Sequence, residues 1–479
     1  MKQLNALLFL FCVGLSPALF AQEAIPETVN LEQAIAYALQ NNIDAKNATL
    51  DEKIAKARVN ETRGIGLPQV NASASVIHNQ KLARFFTTYD PNGGFIDFGG
   101  NPPSGLDAGE VIAVENIFQL RSIGSVGLTI NQILFNASYL VGLRAANTYK
   151  SLAEKQAQQT REQIIQSVTT AYYGAIINRE RLKAFDANIT RIDSLYANTK
   201  ALLQNGFVEE IDLDRIEVAM NNLKAERKNF ENLQLLSVEL LKFQMNYPLD
   251  KPLQISQSAA DLVIARDVEN FGKEFQYNNR IDYSILETSR DLQKLNIQNN
   301  YSAGLPSLVA FADLGYNTQS PNVGGIFKTN SSFTESSSLG ADKWYSTSQF
   351  GVSLNIPIFS GLQRNYKIQQ EKLASMKIEN SFTSLKQGID LQIKQGKISY
   401  ENALNSLDNQ SRNLKLAEKI ARVTKVKYQQ GVGSNLEVVE AESSYREAQV
   451  NYYNALYDAM VSRVDLLKAY GKINTLTSN

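Results

Sequence analysis

The chain has 479 residues, with 48 Lys and Arg against 48 Asp and Glu, a formal net charge of zero, one cysteine and one histidine. Balanced charge with no long single-sign block argues against nucleic acid as a partner. A lone Cys12 and a lone His78 exclude a disulfide framework, a thiolate metal site, a zinc cluster and an obvious catalytic triad.

Residues 1–21 read as a secretory signal: Lys2, an apolar run from Leu4 to Leu15, then Ser16-Pro17-Ala18-Leu19-Phe20-Ala21. Cleavage after Ala21 removes Cys12, which lacks the small-residue context of a lipoprotein site. No later stretch holds the roughly 20 apolar residues of a spanning helix, but short alternating barrel strands escape that criterion. A first strand is expected at about 69–78, with Val70, Ala72, Ala74 and Val76 opposed to Asn71, Ser73 and Ser75. A polar, Gly- and Pro-rich loop over 79–120 leads to a second strand at about 124–134, where Val126, Leu128 and Ile130 oppose Gly127, Thr129 and Asn131.

None of the 11 prolines falls between Ser104 and Tyr247 or after Pro357, and proline inside a helix costs about 3 kcal/mol. Those spans are expected to carry long helices at about 139–205, 210–247, 361–430 and 435–470. A helix over 139–205 is about 100 Å long at 1.5 Å per residue, which implies an elongated body. Leu182, Phe185, Ile189, Ile192 and Tyr196 keep a 3-4 spacing; so do Leu213, Ile216, Met220 and Leu223, and later Leu436, Val439, Val450, Tyr453, Tyr457, Met460, Val464 and Leu467, with Ser443 and Arg446 at two polar steps. Sustained spacing of this kind predicts coiled-coil packing. A linker over 251–276 separates the two halves. The second half repeats the scheme, with strands at about 306–317 and 347–358 and a Ser/Gly/Asn-rich loop over 318–343 between them. Trp344 and Tyr345 fall where an interfacial aromatic belt belongs.

The halves echo one another in register. GLPQV at 66–70 answers GLPSL at 304–308, VGLTINQILFN at 126–136 answers FGVSLNIPIFS at 350–360, and the turn at Gly206 answers that at Gly431. The domains expected are therefore a signal (1–21), a first structural repeat (22–250), the linker (251–276) and a second repeat (277–479). Each strand has about the 9–11 residues of a tilted membrane strand. Four strands cannot close a barrel around a polar lumen, and open edges are not viable in lipid. Several chains must then share one barrel, and three copies give twelve strands. A soluble sheet with one wet face is the alternative that alternation alone leaves open.

Little in the chain suggests catalysis. The Gly-Lys pairs at 272, 396 and 471 lack the Ser/Thr and upstream glycines of a phosphate loop. Glu437 and Glu440, spaced i,i+3, share a helix face and in a trimer make a ring of six carboxylates, which at a constriction attracts cations. A solvated helix start, with acids favoured by the helix dipole, is the plainer reading of the same pair.

LEQAIAYALQNN (31–42), the two GLP–strand junctions, QGVGSNLEVVEAESSYREAQ (430–449) and its weaker echo NGFVEEIDLDRIEVAMNNLKAE (205–226) together resemble the TolC-type outer-membrane efflux factor family over nearly all of the mature length. The resemblance implies a mixed α and transmembrane β fold: a homotrimer with a twelve-stranded outer-membrane barrel, continued by a coiled-coil helical barrel through the periplasm. It implies an equatorial girdle from about 250–276 and the two chain ends. It implies a passive exit duct for efflux or type I secretion in a Gram-negative outer membrane. Its partners would be a periplasmic adaptor, an inner-membrane transporter and outer-membrane lipid, with no cofactor, metal or enzymatic activity. Acids at the positions of Glu437 and Glu440 line the family's constriction, usually as aspartates. Asp212 and Tyr428 match positions that link neighbouring helices and hold the entrance shut, although Gly433 stands where relatives often place an arginine. The turns Gly206-Phe207-Val208 and Gly431-Val432-Gly433 correspond to adaptor-docking tips. A periplasmic adaptor or a coiled-coil scaffold without a pore is the alternative from another class. A soluble protein of either kind would leave the four alternating strands unexplained.

Overall fold

From Ala137 and from Gln363 onward the proline-free spans are almost entirely helical. In the computed structural model, which describes residues 27–91, 105–262, 264, 266, 275–328, 333–334 and 343–477, they become α3 (Ala137–Gln204), α4 (Glu210–Met245), α6 (Gln363–Gln429) and α7 (Asn435–Ala469). Shorter helices precede each set: α1 (Leu31–Asn41) and α2 (Ile43–Ile65), then α5 (Ile281–Ser302). The signal segment with Cys12, the glycine- and proline-rich centre of the first loop, and parts of 251–276 and 318–343 lie outside the described residues. No described helix is long and apolar enough to cross a membrane.

The chain divides into two units. One comprises residues up to Asp51, Glu154–Ile285 and Phe382–Asn479. Its largest core gathers Ile35 and Ala38 of α1, Val168, Tyr172 and Ile176 of α3, Leu241 and Met245 of α4, and Met460 and Val464 of α7. Val29, Leu253, Ile255 and Ile473 seal the same core. A two-residue parallel ladder holds this seal in place, β1 (Thr28–Val29) on β6 (Gln254–Ile255). Sequence patterning gave no sign of it, because two residues carry no period. Asn30 starts α1 with a reciprocal capping box: its side chain accepts from Gln33 N at 2.8 Å while Gln33 Oε1 accepts from Asn30 N at 3.0 Å.

A second core in this unit is the coiled-coil seam. Phe185, Ile192 and Leu195 of α3 meet Ile216 and Leu223 of α4 and Val438 of α7, with Phe185 and Phe230 stacked at 4.6 Å. On α7 the expected Met460, Val464 and Leu467 are buried and Val439, Val450, Tyr453 and Tyr457 pack against the cores, but the face is wider than expected and misses one position. Leu436 is exposed, whereas Val438, Ala441, Ala448, Ala455 and Ala459 are buried. Small residues let helix backbones approach closely, and a reading keyed to large apolar residues passes over an alanine face.

The other unit comprises Glu52–Ala153 and Leu286–Ser381. Its centre is a sheet of four antiparallel strands in chain order, β2 (Gln69–His78), β5 (Ser122–Phe135), β7 (Ser307–Ser320) and β9 (Trp344–Asn355), with the two-residue β8 (Phe333–Thr334) on part of β9. The register unites the alternating faces. Val70, Ile130, Ala312 and Phe350 form one row and Ala72, Leu128 and Leu314 part of the next, while Asn71, Thr129, Asp313 and Gln349 form a row on the opposite face. The fourth strand sits three residues earlier than expected. Ile356-Pro357 stops it, since proline cannot donate to the ladder and restricts the residue before it. Within the span expected as loop, β3 (Arg84–Thr88) pairs antiparallel with β4 (Val111–Glu115). After β7 the second loop opens with a single helical turn, Val323–Ile326.

Candidate functional site

The two helix–turn–helix corners share one construction. In the first, Gly206 N–H bonds Leu203 O at 2.9 Å and Phe207 N–H bonds Leu202 O at 3.0 Å; in the second, Gly431 N–H bonds Tyr428 O and Val432 N–H bonds Lys427 O, both at 3.0 Å. Each is a Schellman closure with its glycine in the left-handed region, at φ 78° and 75°. Neither glycine has a neighbour within 4 Å of where a Cβ would stand, so backbone strain alone resists substitution. Gly431→Ala and Gly206→Ala are each expected to cost about 1–2 kcal/mol in a melting experiment, without loss of helix content.

Both tips carry an exposed apolar residue, Phe207 at 75% and Val432 at 73% of full exposure. Residues of both turns, Phe207, Val208, Gly431 and Gly433 among them, line one cavity of about 670 Å³. Tyr428 also lines it, and its hydroxyl lies 3.0 Å from Thr199 Oγ1. Asp212 does not meet Tyr428 within the chain. Its carboxylate pairs with Arg215 at 3.5 Å, one helical turn along, and its backbone carbonyl accepts from Asn435 Nδ2 at 2.5 Å. Gly433 packs against Lys427 and Tyr428, where a Cβ would come within 3.1 Å.

Glu437 and Glu440 are both exposed on the first turns of α7. Ser434 caps the helix, its hydroxyl accepting from Glu437 N at 3.2 Å, and Lys427 Nζ stands 3.8 Å from the Glu437 carboxylate. With Glu447 the two acids line a groove of about 550 Å³ between α6 and α7. A deeper ionic contact follows on the same helix. Arg191 Nε of α3 bonds Glu442 Oε2 at 2.9 Å, and the glutamate side chain is only 8% exposed. Arg191 also bonds Asn188 and lies 4.9 Å from the Tyr445 ring, while Asn188 Nδ2 donates to Gln449 Oε1 at 2.9 Å. Glu442 lies within the quoted 430–449 stretch, but nothing local sets it apart from the neighbouring acids, so sequence reasoning missed its pairing.

In the sheet, Trp344 and Tyr345 take opposite faces, as neighbours on a strand must. Trp344 packs over Gly124 with Thr318 and Ile326 on the apolar face: a Cβ on Gly124 would come within 3.0 Å of its indole. Tyr345 stands opposite Asn317 on the polar face, so the two do not form one belt. His78 is bonded to Ser122 Oγ at 2.8 Å at the end of β2. Among the described residues no group of three or more His, Cys, Asp or Glu could hold a metal ion.

Residues 286–472 match the family described as outer membrane efflux protein. The chain is 21% identical to the outer membrane protein TolC of Salmonella enteritidis over 96% of its own length and 85% of that protein. It is 21% identical to the TolC of Vibrio cholerae over 73% of this chain and 77% of that one. Among solved structures, the Campylobacter jejuni CmeC outer membrane channel superposes with a TM-score of 0.67 at 19% identity, covering 92% of this chain and 86% of that one. The open state of the Neisseria gonorrhoeae MtrE outer membrane channel gives 0.68 at 18% identity, covering 92% and 89%. Family match, relatives along nearly the whole chain and shared fold point the same way: the chain is similar to the TolC-type outer membrane efflux proteins and shares the fold of the solved outer membrane channels.

Proposed function

We propose that three copies of this chain form an exit duct through the outer membrane, each giving four strands to a twelve-stranded barrel and its long helices to a periplasmic tube. One observation carries the reading. The four-stranded sheet has an apolar and a polar face aligned in register, and β2 and the length of β9 beyond its two residues paired with β8 leave it two unclosed edges. Large apolar side chains stand open on it, Phe350 at 86% exposure and Val352 and Leu354 at 59% each. Such a surface is costly in water, and open edges are costly in lipid. Pairing β9 of one copy with β2 of the next resolves both problems.

The matching corners at Gly206 and Gly431, with helices starting 225 residues apart at Glu210 and Asn435, support two structural repeats. We assign the corner residues Gly206, Phe207, Val208, Gly431, Val432 and Gly433 to docking of a periplasmic adaptor that couples the duct to an inner-membrane transporter. Glu437 and Glu440 act as the inner acidic ring, and Asp212 and Tyr428 stand beside them at the gate. The duct is passive and uses no cofactor. A soluble adaptor or scaffold would leave the apolar sheet face in water.

Single-channel recording in planar bilayers tests this. Wild-type protein extracted in detergent is expected to form cation-selective pores, and Glu437→Gln/Glu440→Gln to lower that selectivity severalfold at low salt. Pores unaltered by the pair would reduce those glutamates to surface charge. Protein that stays in solution without detergent and forms no pore would refute the duct.

A further inference from the structure

Asp313 is the one Asp, Glu, Lys or Arg among all residues of the four long strands. It lies mid-strand on β7, on the polar face, in the row Asn71–Thr129–Asp313–Gln349. Both of its oxygens are held by neutral donors from the strands on either side. Thr129 Oγ1 donates to Oδ1 at 2.7 Å and Gln349 Nε2 donates to Oδ2 at 2.8 Å. No Lys or Arg stands on these strands to neutralise it, and the one histidine, His78, lies at the end of β2 bonded to Ser122. The adjoining row on the same face is Ser73, Gly127, Gly315 and Thr347, small residues that leave the carboxylate unobstructed on that side.

An ionised side chain at membrane depth is expensive, and faces water or a partner where it occurs. Here two hydrogen bonds orient the charge without cancelling it, in a row where every other member is neutral and polar. We propose that Asp313 is a specificity-determining residue of the membrane-spanning part of the pore. In this reading its three copies form a carboxylate ring that favours cations, a filter separate from Glu437 and Glu440. The inference rests on the trimeric barrel reading above. Thr129 and Gln349 are positioning residues: they fix where the charge points and carry none themselves.

The test is the reversal potential of the purified channel across a KCl gradient. Asp313→Asn is expected to lower the K⁺ over Cl⁻ permeability ratio about twofold or more near 0.1 M salt, where the screening length is about 10 Å. The difference should fade at 1 M, where that length is about 3 Å. Asp313→Glu retains the charge and should retain the selectivity. Thr129→Val removes a hydrogen bond but no charge and should change the ratio far less than Asp313→Asn. Asp313→Ser, a residue type the neighbouring rows already hold, repeats the neutralisation should the asparagine variant fail to assemble. Conducting neutral variants with wild-type reversal potentials would overturn the ring while leaving the duct standing. A glutamate variant that shifts as far as the asparagine one would show a packing effect and also overturn it. Wild-type protein without conductance would overturn ring and duct together.

Discussion

Arg280→Ala is expected to lower the unfolding free energy of the helical unit by about 3 kcal/mol, because it breaks a buried ionic hub rather than a surface contact. The Arg280 side chain is 7% exposed and bonds three partners on three elements. It donates to Asp282 Oδ2 at 2.5 Å, Gln392 Oε1 at 3.1 Å and the Ala469 carbonyl at 3.0 Å. Ala469 lies in the last turn of α7, where a cation meets the negative end of the helix dipole. Gln159 of α3 completes the hub by donating to Asp282 Oδ1 at 2.9 Å. Alanine would orphan the buried Ala469 acceptor together with a carboxylate that is 30% exposed, while the exposed Gln392 can turn to water. Lysine keeps the charge but not the planar fork, so Arg280→Lys should recover only part of the loss.

The same hub fixes the pH dependence of that loss. Burial opposes ionisation of Asp282, but the hydrogen bond and charge of Arg280, with help from Gln159 and Lys468, outweigh it and hold the carboxyl below its usual value of 3.8. A depressed carboxyl contributes stability above its unfolded pKa and loses it as pH falls through the folded one. The deficit of Arg280→Ala should therefore be full at neutral pH and shrink below about pH 4. Thermal melts in detergent, followed by helical circular dichroism from pH 3 to 8, check both statements. Equal melting of wild type and variant at pH 7 would remove Arg280 from the stability account.

Much of this fold is written in the positions of eleven prolines and in simple alternation. The long helices begin and end within about two residues of where proline-free periodicity places them, because helix ends here coincide with glycine turns and caps. Strands with strict alternation were equally legible. Features that depend on contact between distant segments were not. The partner of Tyr428 is Thr199 rather than Asp212, a choice set by how α3 and α6 rotate against each other, which no local pattern encodes. The β3–β4 pair hid inside a loop because five-residue strands flanked by glycine and proline resemble coil. Trp344 and Tyr345 looked like one belt until the pleat separated them. Asp313 was the opposite case: its isolation in four uncharged strands was visible in the sequence, and only the register revealed what holds it.

Glu442→Ala is expected to cost about 3 kcal/mol and to loosen the end of the coiled coil that bears the two turns. The pair it breaks joins α3 to α7, and the guanidinium left behind is 28% exposed, with only Asn188 and the Tyr445 ring beside it. Arg191→Ala should cost more, since it strands a carboxylate that is 8% exposed. The double variant Arg191→Met/Glu442→Leu removes both charges and fills the space, so it should regain most of the lost stability. Function should separate from stability in these variants. Within the proposed duct, α3 and α7 belong to different helix–turn–helix pairs, and no Asp212–Tyr428 link ties those pairs within the chain. The Arg191–Glu442 contact is then the most buried ionic tie between them, beside the Thr199–Tyr428, Asn188–Gln449 and Asn435–Asp212 hydrogen bonds. Cutting it should raise the open probability of reconstituted channels at low voltage, and the apolar pair should restore stability while leaving the channel more open than wild type. Single-channel records paired with melts decide the matter: variants that melt early yet gate like wild type would make the contact a structural staple and nothing more.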